Sequence, residues 1–340
     1  MNKLERNDKC RCLSGIKYKK CCLKIDESAE LNQYRNICLI VGNGITYDYI
    51  SENKLDSINP AKPLSGFNCP EISYKEFIDK VPDIKVMMQN GPYNNDFDEI
   101  NKYSRRYSAD TNKDCQLRRF LAISYSLLQL KMEEYQSLWS WKWAKWFYAN
   151  SSKISGAISF NYDVILETTF KTVGLKYYRT GTTNELTGIP IVKPHGSIDF
   201  EISDGFIGGV NNPEGIWNIH TRLNSCNNLV KVIQKDKWLY PRLEPDIIPP
   251  WEENYQLNLG WVDTGYKILS KKFNEIEAFL IVGFSYGFAD QKEFNLIINM
   301  IPKGKIIDFL IVNPTEQIEL QEYLLSKGHR VKQIKVGLPW

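Results

Sequence analysis

The chain has 340 residues, 43% of them hydrophobic and 24% charged, with a formal net charge of +3, a composition that fits a folded globular protein and excludes extended disorder. At ~150 residues per domain the length suggests about two units. The longest apolar run, "AFLIVGF" at 278–284, falls well short of the ~18 residues that a membrane span needs, and the basic N-terminus leads into no apolar signal segment, so a cytoplasmic protein is expected.

Charge and cysteine are both concentrated at the start. Residues 1–25 carry eight Lys or Arg against Glu5 and Asp8, a net +6, which leaves −3 on the rest of the chain. Of the eight cysteines, Cys10, Cys12, Cys21 and Cys22 crowd the first 22 residues, while Cys38, Cys69, Cys115 and Cys226 are scattered. In a reducing compartment such a cluster points to metal rather than disulfides. Cys10-x-Cys12 and Cys21-Cys22, with Gly15 between them to allow a turn, suit four thiolates around one structural Zn²⁺. So short a piece builds no core, and metal binding would supply its folding energy. The segment resembles the SEC-C motif: Ser14, Gly15, Lys17, Tyr18 and Lys19 match its Ser-Gly turn and Lys-Tyr-Lys run, while Arg11 and Leu13 replace the usual Pro and Gly. A SEC-C-like zinc motif is therefore expected at 1–30. Its lysines either balance the −2 charge of a tetrathiolate zinc site or form an adaptor surface for a protein or nucleic acid.

From residue 31 onward the pattern is α/β. "NICLIVGNG" (36–44), "GAISFNYD" (156–163), "GIPIVKPHG" (188–196), "AFLIVGFSYG" (278–287) and "DFLIVNP" (308–314) read as buried strands ending in polar loops, and "VKQIKV" (331–336) as an edge strand. Helical patterns at 162–173 and 314–328 fall between strands, so the expected fold is Rossmann-like: a mostly parallel sheet with helices on both faces. The gap from the first strand to the second is too long for one crossover and contains a strongly helical stretch at 115–150, so a helical subdomain is expected at about 51–150. Trp139, Trp143, Trp146 and Phe147 share one helix face, which suits core packing, with a ligand-facing lid as the alternative.

Ligands of open α/β sheets bind at the carboxyl ends of strands, and each such end carries unusual residues. Gly42 and Gly44 in "GNGIT" form either a tight turn or a loop whose backbone N–H groups approach a phosphate. Asp163 either caps the following helix or works beside Asn161, for which capping offers no account. His195 sits in "KPHGS", in either a structural or a catalytic loop, whereas His220 and His329 have no comparable setting. The fourth strand opens into a second glycine turn with Gly283, Ser285 and Gly287, and the fifth ends in Asn313.

In this order G-x-G-x-T, N-Y-D, K-P-H-G, G-x-S-x-G and a strand-ending Asn resemble the sirtuin-like domain of bacterial NAD-consuming defence proteins. The resemblance spans residues 35–340 and includes "PDIIPPWEE" (245–253). It implies that 31–340 form an NAD-binding hydrolase domain. In it Asn161 would hold the nicotinamide ribose and position water, Asp163 would support that arrangement, and His195 would be the general base. Gly42, Asn43, Gly44 and Thr46 would line the pyrophosphate, and Gly283, Ser285 and Asn313 would lie toward the adenosine half. Asn43 stands where the family usually has Ala, and Thr46 where Ser is common.

Cleavage of the N-glycosidic bond of NAD⁺ expels neutral nicotinamide and needs no general acid; an amide, a carboxylate and a histidine suit the ribose and the nucleophile. Protein deacylases admit an acyl-lysine and usually carry two Cys-x-x-Cys pairs after the His-Gly motif. "HGSIDFEISDGFIGG" has none, which favours water. The expected activity is therefore NAD⁺ hydrolysis to nicotinamide and ADP-ribose, in an effector of antiphage defence. It would be regulated by homo-oligomerisation, a phage-derived trigger, or a partner ATPase or nuclease. A non-catalytic NAD or ADP-ribose sensor and a deacylase are the alternatives.

Overall fold

Runs such as Ile37–Val41 and Ala278–Val282 have no polar side chain to offer to solvent, so they belong in the middle of a sheet covered on both faces. The computed structural model describes residues 5–10, 17–20, 31, 33–55, 57–135, 138–182, 187–202, 213–220, 230–243, 245–251, 253 and 259–334. Its main sheet contains β1 (Ile37–Val41), β2 (Ile154–Ser159), β3 (Tyr177–Arg179), β4 (Ile189–Val192), β8 (Ala278–Val282), β9 (Asp308–Val312) and β10 (Arg330–Ile334). The order across the sheet is β10-β9-β8-β1-β2-β4-β3, seven strands with every neighbouring pair parallel. All six strands expected from sequence are in it, with β10 at an edge.

The period of two along β1 and β8 sorts their side chains into two cores. Ile37, Leu39, Val41, Ala278, Leu280 and Val282 face one side, and Cys38, Ile40, Phe279 and Ile281 the other. The first core is closed by α1 (Gly44–Glu52), α4 (Thr111–Tyr135), α5 (Lys142–Ala149) and α6 (Ile165–Thr172). The second is closed by α7 (Gly260–Lys272), α8 (Phe288–Asn299) and α9 (Ile318–Ser326). Helices on both faces are thus a direct result of strands that are apolar at every position.

Between α1 and β2 lie α2 (Pro82–Gln89), α3 (Asp96–Tyr107), α4 and α5. The tryptophan face is core, not a lid: Trp146 and Phe147 are fully buried, Trp143 nearly so, and Phe147 meets Phe170 of α6 edge to face at 5.1 Å. Trp139 does not share that helix: it sits on the separate 3₁₀ turn Leu138–Ser140 and is partly buried.

Four strands were not anticipated. β3 extends the main sheet at its edge, while β5 (Gly196–Ile202), β6 (Val230–Val232) and β7 (Pro245–Ile247) form a separate antiparallel sheet ordered β6-β5-β7. Buried charge fastens the smaller sheet to its surroundings. Arg179 of β3 donates to both oxygens of Asp199 at 2.6 Å. Arg119 of α4 is spent on the carbonyls of Trp217, Ile219, Arg242 and Leu243.

Trp146→Ala should cost about 3–5 kcal/mol in urea unfolding, the range for a fully buried large aromatic. Val86→Ala, at a position 54% exposed, should stay within about 0.5 kcal/mol. Equal effects would contradict the placement of the tryptophan face.

Candidate functional site

The strand register sets the site. Val41 is level with Ser159 and with Val282, and Val282 with Val312, so β1, β2, β8 and β9 end flush and the residues that follow them stand in one row. The row lies where the chain order reverses: β1 is flanked by β2 on one side and by β8 on the other. In an open parallel sheet that is where a crevice forms.

Two turns meet there. A Cβ on Gly44 would lie 2.5 Å from the Gly283 Cα, and one on Gly42 2.6 Å from the Phe284 Cα. Gly283 itself has φ +57, a left-handed conformation that favours glycine. These glycines let two backbones touch, and their amides are used in doing so. Gly42 N–H donates to the Val282 carbonyl at 3.0 Å and Gly44 N–H to the Gly283 carbonyl at 2.8 Å. The expected approach of those two amides to a phosphate is therefore corrected. Ile45, Thr46 and Tyr47 N–H are also bonded within the turn, which leaves the Asn43 N–H as the amide here without a protein partner among the described residues.

Thr46, expected along the pyrophosphate, is fully buried behind the wall, because the first turn of α1 aims it at the end of β2. Its hydroxyl donates to Asp163 Oδ2 at 2.8 Å and lies 3.3 Å from Asn161 Nδ2, which also donates to the Gly42 carbonyl at 3.2 Å. Asp163 Oδ1 accepts from the Ile165 N–H at 3.1 Å, at the start of α6. Asp163 therefore bonds the start of α6 through one oxygen and the Thr46 hydroxyl through the other. Burial raises its pKa, opposed by Lys193, Thr46 and the Ile165 amide. Beneath it Lys193, wholly buried, donates to the Asp163 carbonyl at 2.6 Å and pairs with Glu167 at 3.1 Å.

His195 follows Lys193 by two residues, on a loop held down on both sides. Ile248 N–H donates to the His195 carbonyl at 3.1 Å, and Tyr162 Oη donates to the Ile248 carbonyl at 2.6 Å, so the segment after β7 clamps the histidine loop to the N-Y-D segment. The imidazole is buried; its Nε2 lies 3.2 Å from Glu293 Oε2 and 3.5 Å from Asp290 Oδ1. Burial opposes its charge, but contact with Glu293 and the charge of Asp290 outweigh that and raise its pKa above the ordinary histidine value. Asp290 is pushed up to about 6 by burial and by Glu293, against the pull of His195.

Gly42, Asn43, Gly44, Asn161, Asp163, His195, Gly283, Ser285 and Asn313 all line one cavity of about 550 Å³. Of the expected site residues with described structure, only Thr46 and Cys10, the latter expected as a zinc ligand, are not part of that lining. Asn313 is partly committed: its Nδ2 donates to the Phe284 carbonyl at 3.3 Å and its Oδ1 accepts from Thr315 N–H at 3.1 Å. Sequence reasoning missed Asp290, on the cavity wall, and Glu293, behind His195. They stand three apart at the start of α8, a spacing that puts both on one helix face and was legible in "GFADQKEF". It also missed Asn95, Asp98 and Asn101, which line the cavity from the helical insertion.

At the N-terminal head, Lys9 pairs antiparallel with Lys17, and Tyr18 N–H donates to the Asp8 carbonyl at 2.7 Å. The bridge sets residues 8–9 beside 17–18, next to buried Cys10. Cys12, Cys21 and Cys22 lie outside the described residues. Among the described residues no group of three or more His, Cys, Asp or Glu is placed to hold a metal ion, and no helix is long and apolar enough to cross a membrane.

Residues 6–24 match the family model of the SEC-C motif. Among solved structures the chain is similar to one described as "Structural Basis for the Mechanism and Regulation of Sir2 Enzymes", at 10% identity over 91% of this chain and 92% of that one, with a TM-score of 0.33. No curated protein matches the chain.

Gly44→Ala should destabilise the fold by about 2 kcal/mol or more, since backbone rather than a flexible side chain blocks the new methyl. Gly287→Ala, whose Cβ would meet nothing closer than 3.7 Å, should cost under about 1 kcal/mol. Thermal melts of the two variants check this, and equal melting points would show that the two turns do not need their contact.

Proposed function

We propose that the chain is an NAD⁺ glycohydrolase that releases nicotinamide and ADP-ribose, and that it serves in the cytoplasm as an NAD⁺-depleting effector of antiphage defence. The observation that carries this is the meeting of Asn161, Asp163 and His195 with both glycine turns around one cavity at the flush carboxyl ends of a parallel sheet. A dinucleotide is long and polar at several points. A crevice with two backbone turns at its centre, Asn313 at one side and the Asn161–His195 group at the other suits that shape.

The reaction asks little of an acid. The C1′–N bond breaks with its electron pair going to the nicotinamide ring nitrogen, which becomes neutral. The ribose passes through an oxocarbenium-like state, and water adds at C1′ while losing a proton. Asn161 Nδ2 is committed to Gly42 and Thr46, which would leave Oδ1 to orient the ribose or the water. Asp163 acts as a positioning residue through Thr46. His195 and its neighbouring carboxylates supply the proton acceptor. Water rather than acyl-lysine is favoured by the lack of Cys-x-x-Cys pairs after His195. At the head, Cys10, Cys12, Cys21 and Cys22 would hold a structural Zn²⁺ that folds the motif. Self-association, a phage-derived trigger, or a partner ATPase or nuclease would hold the activity in check.

Chromatography of NAD⁺ incubated with the protein should show nicotinamide. Asn161→Ala and His195→Ala should each cut the rate by about 100-fold or more, the scale of a positioned polar or acid–base group. Release unchanged in both variants would refute the assignment. NAD⁺ binding without product in any oligomeric state would make the chain a sensor, and product formed only with an acyl-lysine peptide would make it a deacylase.

A further inference from the structure

We infer that the group which takes the proton from the attacking water is Asp290, and that His195 is a fixed cation that positions it. This rests on the hydrolytic reaction proposed above and assigns one of its roles to a residue that the sequence motifs do not contain.

A neutral imidazole has one donor and one acceptor nitrogen, whereas an imidazolium has two donors. The His195 ring hydrogen-bonds the backbone of Phe160, which occupies one nitrogen as a donor. Its Nε2 faces two carboxylates, 3.2 Å from Glu293 Oε2 and 3.5 Å from Asp290 Oδ1, and is aligned with neither. A lone pair there would face two anions in a buried place. A proton there lies between two anionic oxygens, so the arrangement favours the charged ring. An imidazolium cannot accept a further proton, and the base must be sought among its neighbours.

The two carboxylates are not equivalent. Glu293 keeps 5% of its side chain exposed, and its Oε1 already accepts from the Tyr266 hydroxyl at 2.7 Å. Asp290 keeps 26% exposed and lines the cavity. It is the member of the group that water in the cavity can reach. Among the described residues Tyr162 also feels its charge, and the Tyr162 hydroxyl is committed to the Ile248 carbonyl. A carboxylate pushed up to about 6 is also better matched to proton transfer near neutrality than an ordinary aspartate. In the step, a water oxygen bonds to C1′ as the C1′–N electron pair leaves with nicotinamide. The water proton passes to an Asp290 oxygen and from there to solvent.

The sign of the pH dependence follows. The base must be unprotonated, so the rate of nicotinamide release should rise with pH through about 6 and level off above it. Asp290→Asn should lower kcat by about 100-fold with KM for NAD⁺ changed less than about threefold, and should flatten the acid limb; Asp290→Glu should restore part of kcat. His195→Gln should instead keep the limb and move it to higher pH, since a positive neighbour is lost. If His195 is the base, the limb disappears in His195→Gln and persists, shifted down, in Asp290→Asn, and the inference is wrong.

A second measurement does not depend on turnover. The chain has three histidines, so ¹³C-histidine NMR can follow each. His195 should remain charged at pH 7, above His220 and His329, both of which are lowered by burial. A neutral His195 at pH 7 would overturn the inference even if NAD⁺ hydrolysis holds. A charged His195 with no NAD⁺ turnover would leave the electrostatic arrangement intact and remove the proposed reaction instead.

Discussion

The contact between two backbones at Gly44 and Gly283 is the constraint on which the site depends. It brings the turn after β1 against the turn after β8 at a separation that no side chain would allow. Its amides and carbonyls are bonded across the gap. α1 starts from that contact, which fixes where its first turn places Thr46. Thr46 in turn bonds Asp163 and Asn161. One steric fact at the switch point of the sheet thus helps set the position of the amide and the carboxylate at the end of the neighbouring strand.

Around that contact the protein buries charge that would be costly if left unpaired. Lys193 is bound to Glu167 and to the Asp163 carbonyl, while Arg179 is bound to Asp199 and Arg119 to four carbonyls. Each joins segments far apart in sequence and none faces the cavity. They read as fasteners that hold the histidine loop and the small sheet in one geometry, so that the few groups left at the cavity wall can be poised rather than mobile. His195 belongs to both sets: it is buried like a fastener and lines the cavity beside Asp290.

The parts legible in sequence were those with strong local signals. Ile37–Val41 and Ala278–Val282 are apolar at every position because both faces are covered, and the residues after them are small or polar because they border a crevice. Asn161, Asp163 and His195 could be singled out because each interrupts an expected pattern just after a strand. The small sheet could not, since β6 and β7 are three residues each and owe their pairing to partners far away in the chain. Asp290 and Glu293 escaped because two acids near a helix N-terminus are ordinary on solvent-facing helices; their meaning comes from a histidine about 95 positions earlier, which no periodicity announces. For Gly42 and Gly44 the sequence leaves a tight turn and a phosphate loop open; they border the cavity, but their amides are bonded to the neighbouring turn, a contact that no local pattern reveals.

The proposed reaction requires this cavity to hold NAD⁺ with its nicotinamide ribose at Asn161. A crystal structure of the Asn161→Ala variant soaked with NAD⁺ tests it most directly. The dinucleotide should lie across the Gly44–Gly283 contact, with a pyrophosphate oxygen at the Asn43 amide and the ribose C1′ facing position 161 with Asp290 within one water of it. NAD⁺ bound elsewhere, or a cavity that stays empty at saturating NAD⁺, would contradict it.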